Sequence, residues 1–221
     1  MMLGAALMAL SMLCPAPNGA FAKSEVAPDG TMVVCLTDHD TAGKYELYSV
    51  PSTGGQAVKL SPEMASNRDV ILFEISPNSG RVAFTCDPTV WTKYDLYTVS
   101  VVGGNPRKMN GYLPMDHDVD QFAWSGDSER VVWAQGRNTT GDWQLYSAPH
   151  GGGMALFLSH PGYTVGRAFS MVWGGAAVRF QSEPLGAGGV MPWYVVSANG
   201  GRIMEELFRD GFESGTTGGW K

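Results

Sequence analysis

Apolar and polar residues in this chain alternate in short runs, and the runs return at a fixed interval. Tyr94-Asp95-Leu96-Tyr97-Thr98-Val99 places its large side chains at every second position, the period of a strand packed on one side. Its core, Asp95 to Val99, has a counterpart 49 residues upstream in Glu46-Leu47-Tyr48-Ser49-Val50. Two more follow at the same interval, Gln144-Leu145-Tyr146-Ser147-Ala148 and Trp193-Tyr194-Val195-Val196-Ser197. The glycines keep step as Gly54-Gly55, Gly103-Gly104 and Gly152-Gly153, and finally as Gly201, beside Gly200. A repeat of this length belongs to solenoids and propellers.

The second repeat predicts four strands. Val70–Ile75 is an apolar run suited to a buried inner strand, and Ser76-Pro77-Asn78-Ser79-Gly80 is turn chemistry. Arg81–Thr85, Tyr94–Val99 and Arg107–Met109 supply the other three, with Gly103-Gly104 turning the chain before the last. Four antiparallel strands, repeated, make a propeller blade. The third repeat follows with Gln121–Trp124, Arg130–Ala134, Trp143–Ala148 and Ala155–Leu158. The fourth is worn, with Phe169–Trp173, Val178–Gln181, Trp193–Ser197 and Ile203–Leu207. Ile75, Trp124 and Trp173 share one register position, and Tyr45, Tyr94 and Trp143 another; repetition of bulk at one place marks the core between sheets. The expectation is an all-β propeller of about four four-stranded blades, roughly 23–61, 70–110, 119–159 and 168–207. The inner strand of the first blade, Lys23–Val26, is short and mostly polar. Four units either close as a small ring or form an arc completed by a second chain, since uncovered sheet edges need a cover. The expectation taken is a domain that closes or nearly closes.

The residues Pro28-Asp29-Gly30, Ser76-Pro77-Asn78 and Trp124-Ser125-Gly126-Asp127, each followed by an apolar strand, an acidic loop and a Glu-Leu-Tyr-like strand, resemble the TolB-type β-propeller repeat. The resemblance covers most of the chain after residue 23 and implies the fold. It implies less about activity, because that repeat serves both scaffolds and the propellers of peptidases. TolB itself has six blades behind a separate N-terminal domain, and this sequence shows four repeats.

Composition agrees with sheet and turn: 29 glycines, 11% aromatic residues and only 16% charged ones. A net charge of −6 without clustered Lys or Arg argues against a nucleic-acid partner. Residues 1–22 carry no charge and end in Ala20-Phe21-Ala22, the pattern of a secretory signal peptide cut before Lys23, although the usual leading basic residues are missing. The apolar stretch is too short for a transmembrane helix. The expected location is therefore periplasmic or secreted. Cleavage would remove Cys14 and leave Cys35 and Cys86, which, two residues out of register in neighbouring blades, are expected as buried free thiols. Residues 208–221, with Asp210-Gly211-Phe212-Glu213-Ser214-Gly215, resemble the C-terminal tail of exported Gram-negative proteins.

Candidate chemistry is sparse. Asp38-His39-Asp40 and Asp116-His117-Asp118 combine carboxylates with imidazole and could hold a divalent cation. They stand 78 residues apart, off the period, so turn chemistry is the simpler account, and Asp38, His39, Asp40 and Asp116 remain weak metal candidates. No cofactor is expected. Arg68-Asp69, His117-Asp118 and Gly166-Arg167 precede the inner strands at matching places, so Arg68, Asp69, His117, Asp118 and Arg167 are expected to ring one mouth of the central channel. Loops on a rigid scaffold gather recognition residues. No Gly-x-Ser-x-Gly elbow is present. The sequence therefore favours a non-catalytic module binding a protein or peptide at that mouth, with self-association over open blade edges as a further possibility. The other class is a hydrolase, a lyase or a metal-dependent carbohydrate-active protein working in the channel.

Overall fold

The computed structural model describes residues 13–15, 21–88, 93–114, 116–137, 142–159, 161–184, 192–201 and 204–205. Every regular element among them is a strand. Blade one holds β1 (Phe21–Val26), β2 (Met32–Thr37), β3 (Glu46–Pro51) and β4 (Val58–Lys59); blade two holds β5 (Val70–Ile75), β6 (Arg81–Cys86), β7 (Asp95–Ser100) and β8 (Arg107–Lys108). Blade three holds β9 (His117–Trp124), β10 (Arg130–Arg137), β11 (Asp142–Pro149) and β12 (Leu156–Phe157). Blade four holds β13 (Tyr163–Val172), β14 (Ala177–Pro184), β15 (Trp193–Ser197) and β16 (Met204–Glu205). Within each blade every strand pairs antiparallel with the next in sequence. One further pairing, Trp143 opposite Val165, joins blades three and four into a single eight-stranded sheet. C-terminal residues 208–221 lie outside the described residues.

The core lies between blades. One cluster joins blades one and two, a second joins two and three, and a third joins three and four. Blades two to four each turn one aromatic pair toward the blade before: Phe84 stacks on Tyr97, Trp133 on Tyr146 and Phe180 on Tyr194, with ring centroids 5.6, 5.8 and 5.9 Å apart. Such offset stacks add about 0.5–1.5 kcal/mol each beyond the area they bury. Toward its successor each of the first three blades presents a buried leucine, Leu47, Leu96 or Leu145. Polar stitches supplement the packing: Ser79 Oγ accepts the Asp29 N–H and Ser128 Oγ accepts the Asn78 N–H, one blade to the next. The Gly-Gly pairs turn the third strand into the fourth with positive φ at both residues, from 80° to 144°, a backbone that only glycine adopts freely.

Three expectations change. In blade four Phe180 lies opposite Phe169, where blade three has Trp133 opposite Phe122. The turn between them has the same length; the connection from Leu158 to Thr164 is three residues shorter than that from Met109 to Asp118 and the β13 bulge restores one, so Met171, not Trp173, takes the place of Trp124 and Ile75. Trp173 falls in the turn itself, with φ 53° and 59% exposed. Secondly, Cys35 is not a free thiol: it is bonded to Cys14, whereas Cys86 is free and buried, its thiol pushed up by burial and by Asp95. The pairing arises because Leu13 to Pro15 lies against β2, where Thr37 Oγ1 donates to the Pro15 carbonyl at 3.0 Å. Thirdly, ring closure is not seen among the described residues: neither a strand pairing nor an apolar cluster there joins blade four to blade one. Over the described residues the array is an open arc.

Candidate functional site

The inner strands β5, β9 and β13 line a groove of about 420 Å³ on the concave side of the arc. Leu72, Phe73, Phe122, Phe169 and Met171 give it an apolar floor, and Glu74, Asp120, Gln121 and Ser170 supply polar groups. A smaller recess bounded by Ile71, Tyr94, Asp118 and Val119 shares Leu72 and Asp120 with it, so the two adjoin. Each inner strand begins with a bulge, after Val70 in β5, at Asp120 in β9 and after Val165 in β13. The bulge interrupts the alternation and leaves Ile71 and Leu72 41% and 48% exposed.

Much of the strand-edge backbone facing this groove is already occupied. Gln121 Nε2 donates to the Phe169 carbonyl at 2.9 Å and its Oε1 accepts the Phe169 N–H at 3.0 Å. Trp124 Nε1 donates to the Glu74 carbonyl, and Lys23 Nζ donates to that of Phe73 while lying over its ring. A ligand here meets side chains more than free sheet edge.

Glu74 is the perturbed group of the groove. Burial, then the charge of Glu25, raises its carboxyl to about 7, and Trp124's backbone N–H and Lys23 only partly offset this. The folded protein thus holds a proton that the unfolded chain releases near the ordinary value of 4.5. Stability associated with this group is present below pH 4.5 and lost as pH rises through 7. We expect Glu74→Gln to remove this loss and to exceed the wild type at pH 8 by up to about 2 kcal/mol, allowing for partial exposure. Urea titrations at pH 5 and pH 8 check it; an unchanged difference between the two pH values would refute it.

The structure brings only part of the expected mouth together. Asp69 Oδ1 accepts the Tyr45 N–H at 2.7 Å and Asp118 Oδ1 the Tyr94 N–H at 2.9 Å, so both carboxylates stitch one blade to the strand entry of the blade before. The equivalent in blade four is Thr164, whose Oγ1 accepts the Trp143 N–H at 2.9 Å. Arg167 is therefore not the counterpart of Asp69 and Asp118; it lies in the bulge of β13, and its side chain is outside the described residues. Arg68 Nη1 stands 3.8 Å from Asp87 Oδ2, and His117 Nδ1 lies 3.2 Å from Asp116 Oδ1.

The two Asp-His-Asp triplets stay apart and serve their own turns. Asp38 Oδ2 accepts the Gly43 N–H, His39 meets the Tyr48 ring edge-on, and Asp40 pairs with Lys59 at 3.2 Å. Asp116 sits in a turn at φ 67°. Among the described residues no group of three or more His, Cys, Asp or Glu side chains is placed to hold a metal ion, and no helix is long and apolar enough to cross a membrane. Sequence reasoning missed the groove residues Leu72, Glu74, Gln121 and Ser170. The signal available was the mixed face of Val70–Ile75, where Glu74 interrupts an otherwise apolar inner strand.

No family model matches the chain, and no curated protein does. Solved structures do. A putative TolB from Agrobacterium tumefaciens is 17% identical, over 82% of this chain and 63% of that one, with a TM-score of 0.52. A puromycin-hydrolysing peptidase of Mycobacterium tuberculosis is 14% identical, over 84% of this chain and 28% of that one, at 0.56. The β-propeller domain of the Trilobed protease from Pyrococcus furiosus, described as having an open velcro topology, is 10% identical over 85% and 57%, at 0.53. The chain thus spans less than two thirds of each of these proteins. At such identities the likeness is one of fold, and the fold is an all-β, TolB-like propeller.

Proposed function

We propose that the chain is an exported, non-catalytic propeller module that binds a protein or peptide partner along the concave groove and its mouth, in the periplasm or outside the cell. The observation that carries the reading is the groove over three blades with its adjoining recess, apolar along the floor and edged by Glu74, Asp120 and Asp118. Apolar area supplies affinity and the flanking polar groups supply orientation. Arg68 and His117 form the rim of this reading, with Asp69 and Asp118 holding it in place; Arg167, in the β13 bulge, completes the candidate set. No nucleic-acid partner and no cofactor enter this reading.

The test uses the full chain as bait against the envelope of its source cells, with cross-linking and mass spectrometry. The double variant Leu72→Arg, Ser170→Arg should lose a stoichiometric partner that the wild type captures, while melting stays within a few degrees. Tyr112→Arg, at an 84% exposed residue outside the groove, should keep it. Equal capture by wild type and groove variant would refute the reading. Glu74 favours a second one: a carboxyl poised near neutrality can act as general acid or base, as a hydrolase or lyase of the channel requires. Turnover of a peptide or oligosaccharide lost in Glu74→Gln, with binding retained, would select it.

A further inference from the structure

Each internal interface of the arc repeats the same chemistry, and the first blade breaks it at one place. The side of blade two that faces blade one is built from Val82, Phe84 and Val99. Blade three repeats it with Val131, Trp133 and Ala148, and blade four with Val178, Phe180 and Val196. The equivalent residues of blade one are Val33, Cys35 and Val50. They have no preceding blade to face, yet they are 1%, 0% and 1% exposed. Cys35 stands where the other blades carry a stacking aromatic, opposite Tyr48 as Phe84 is opposite Tyr97. The room left by the missing ring is filled by Cys14, bonded to Cys35, with Leu13 beside it and Ala57 completing a fourth apolar cluster.

Blade four does not supply the missing cover. Its outward side carries Arg179 where the other blades have Val34, Ala83 and Val132, and Gln181 where they have Leu36, Thr85 and Ala134. Trp193 replaces the leucine of that side, and the Arg179 guanidinium lies 4.2 Å from its ring centre. A more polar outer side is what the last unit of an open array needs, and Arg179 and Gln181 stand where the other blades carry mostly apolar residues.

We propose that the segment Leu13–Pro15 is the cap of blade one, occupying the place of a preceding blade and locked there by Cys14–Cys35, so that it remains part of the exported protein instead of being removed before Lys23. The lock forms by exchange. Two thiols become one disulfide, and their two protons and two electrons reduce an external disulfide to two thiols; an oxidising compartment supplies that acceptor. The interaction surface is thus internal, and its partner is this chain's own N-terminal segment.

The experiment is intact-mass measurement and thiol labelling of the full chain exported by a Gram-negative host. With three cysteines in the sequence, the denatured but unreduced protein should take one alkylation, at Cys86, and the reduced protein three. A mature N-terminus at Lys23 with two alkylations before reduction would overturn the proposal. Cys14→Ser should lower Tm by roughly 5–10 °C and open Cys35 to labelling in the folded state, and the Cys14→Ser, Cys35→Ser double variant should fall no further. A Tm equal to the wild type's in Cys14→Ser would also overturn it, because the cap would then contribute nothing.

Discussion

Trp133→Ala should lower the free energy of unfolding by about 4 kcal/mol, the cost expected for removing a fully enclosed indole. Trp133 is 1% exposed and stacks on Tyr146 with planes 17° apart. Around it lie Ala83, Leu96, Leu113 and Trp124, so the cavity would open in the middle of the interface between blades two and three. The indole also donates to Gln135 Oε1 at 2.8 Å, a bond lost with it. A domain's total stability is about 5–15 kcal/mol, so this one change removes a large share. Trp133→Phe should cost much less, about 1.5 kcal/mol or under, because blades two and four already use Phe84 and Phe180 at the same place and the ring stack survives. Urea midpoints at constant slope measure both. Near-equal losses would mean that the hydrogen bond to Gln135, not the packing, carries the site.

Much of this fold was legible because repetition exposes the packing code. Leu47, Leu96 and Leu145 recur at one spacing since each meets the same surface of the next blade, and the Gly-Gly pairs recur since each turn needs the same backbone. Where a unit loses residues, that signal misleads. The connection from blade three into blade four is two residues shorter on balance, so counting by 49 put Trp173 in the core and paired Arg167 with Asp118; hydrogen-bond register is needed to see that Met171 and Thr164 hold those places. The candidate site was less legible for a different reason. In a propeller both sides of an inner strand meet neighbouring blades, and what faces the channel is an edge. Alternation reports sides, not edges, so Leu72, Gln121 and Ser170 carried no distinguishing period. Asp69 and Asp118 were visible as polar residues at a rim, but nothing in the sequence says that their acceptors are already committed to Tyr45 and Tyr94. The role of Cys14 was hidden by its neighbourhood, since an apolar, uncharged leader reads as disposable until a partner for it appears in β2.

Glu46→Ala should be nearly as damaging as the loss of Trp133, about 3 kcal/mol, and through charge instead of volume. The Glu46 carboxylate is fully buried and lies 2.8 Å from Lys44 Nζ and 2.9 Å from Lys59 Nζ. Removing one partner of a buried pair costs about 3–5 kcal/mol because the other charge is left without compensation. The loss should fall mainly on Lys44, whose side chain is 9% exposed and keeps only the Met64 carbonyl at 2.9 Å. Lys59 suffers less, since Asp40 and Glu63 remain at 3.2 and 3.4 Å. Burial alone would depress the Lys59 ammonium; its bonds to Glu46 and Asp40 more than reverse this and hold it above 10.5. That contribution is complete below pH 10.5 and fades as pH rises through the higher folded value, so the gap between wild type and Glu46→Ala should narrow in strong alkali. Blade two provides the control. Its equivalent pair, Asp95 and Lys108 at 2.8 Å, is more open at the lysine end, 36% exposed, so Asp95→Ala should cost only about 1 kcal/mol. If Lys44→Met, Glu46→Leu together restored most of the stability lost in Glu46→Ala, the stranded charge would be confirmed as the cause. A double variant as unstable as the single one would place the cost in the shape of the site.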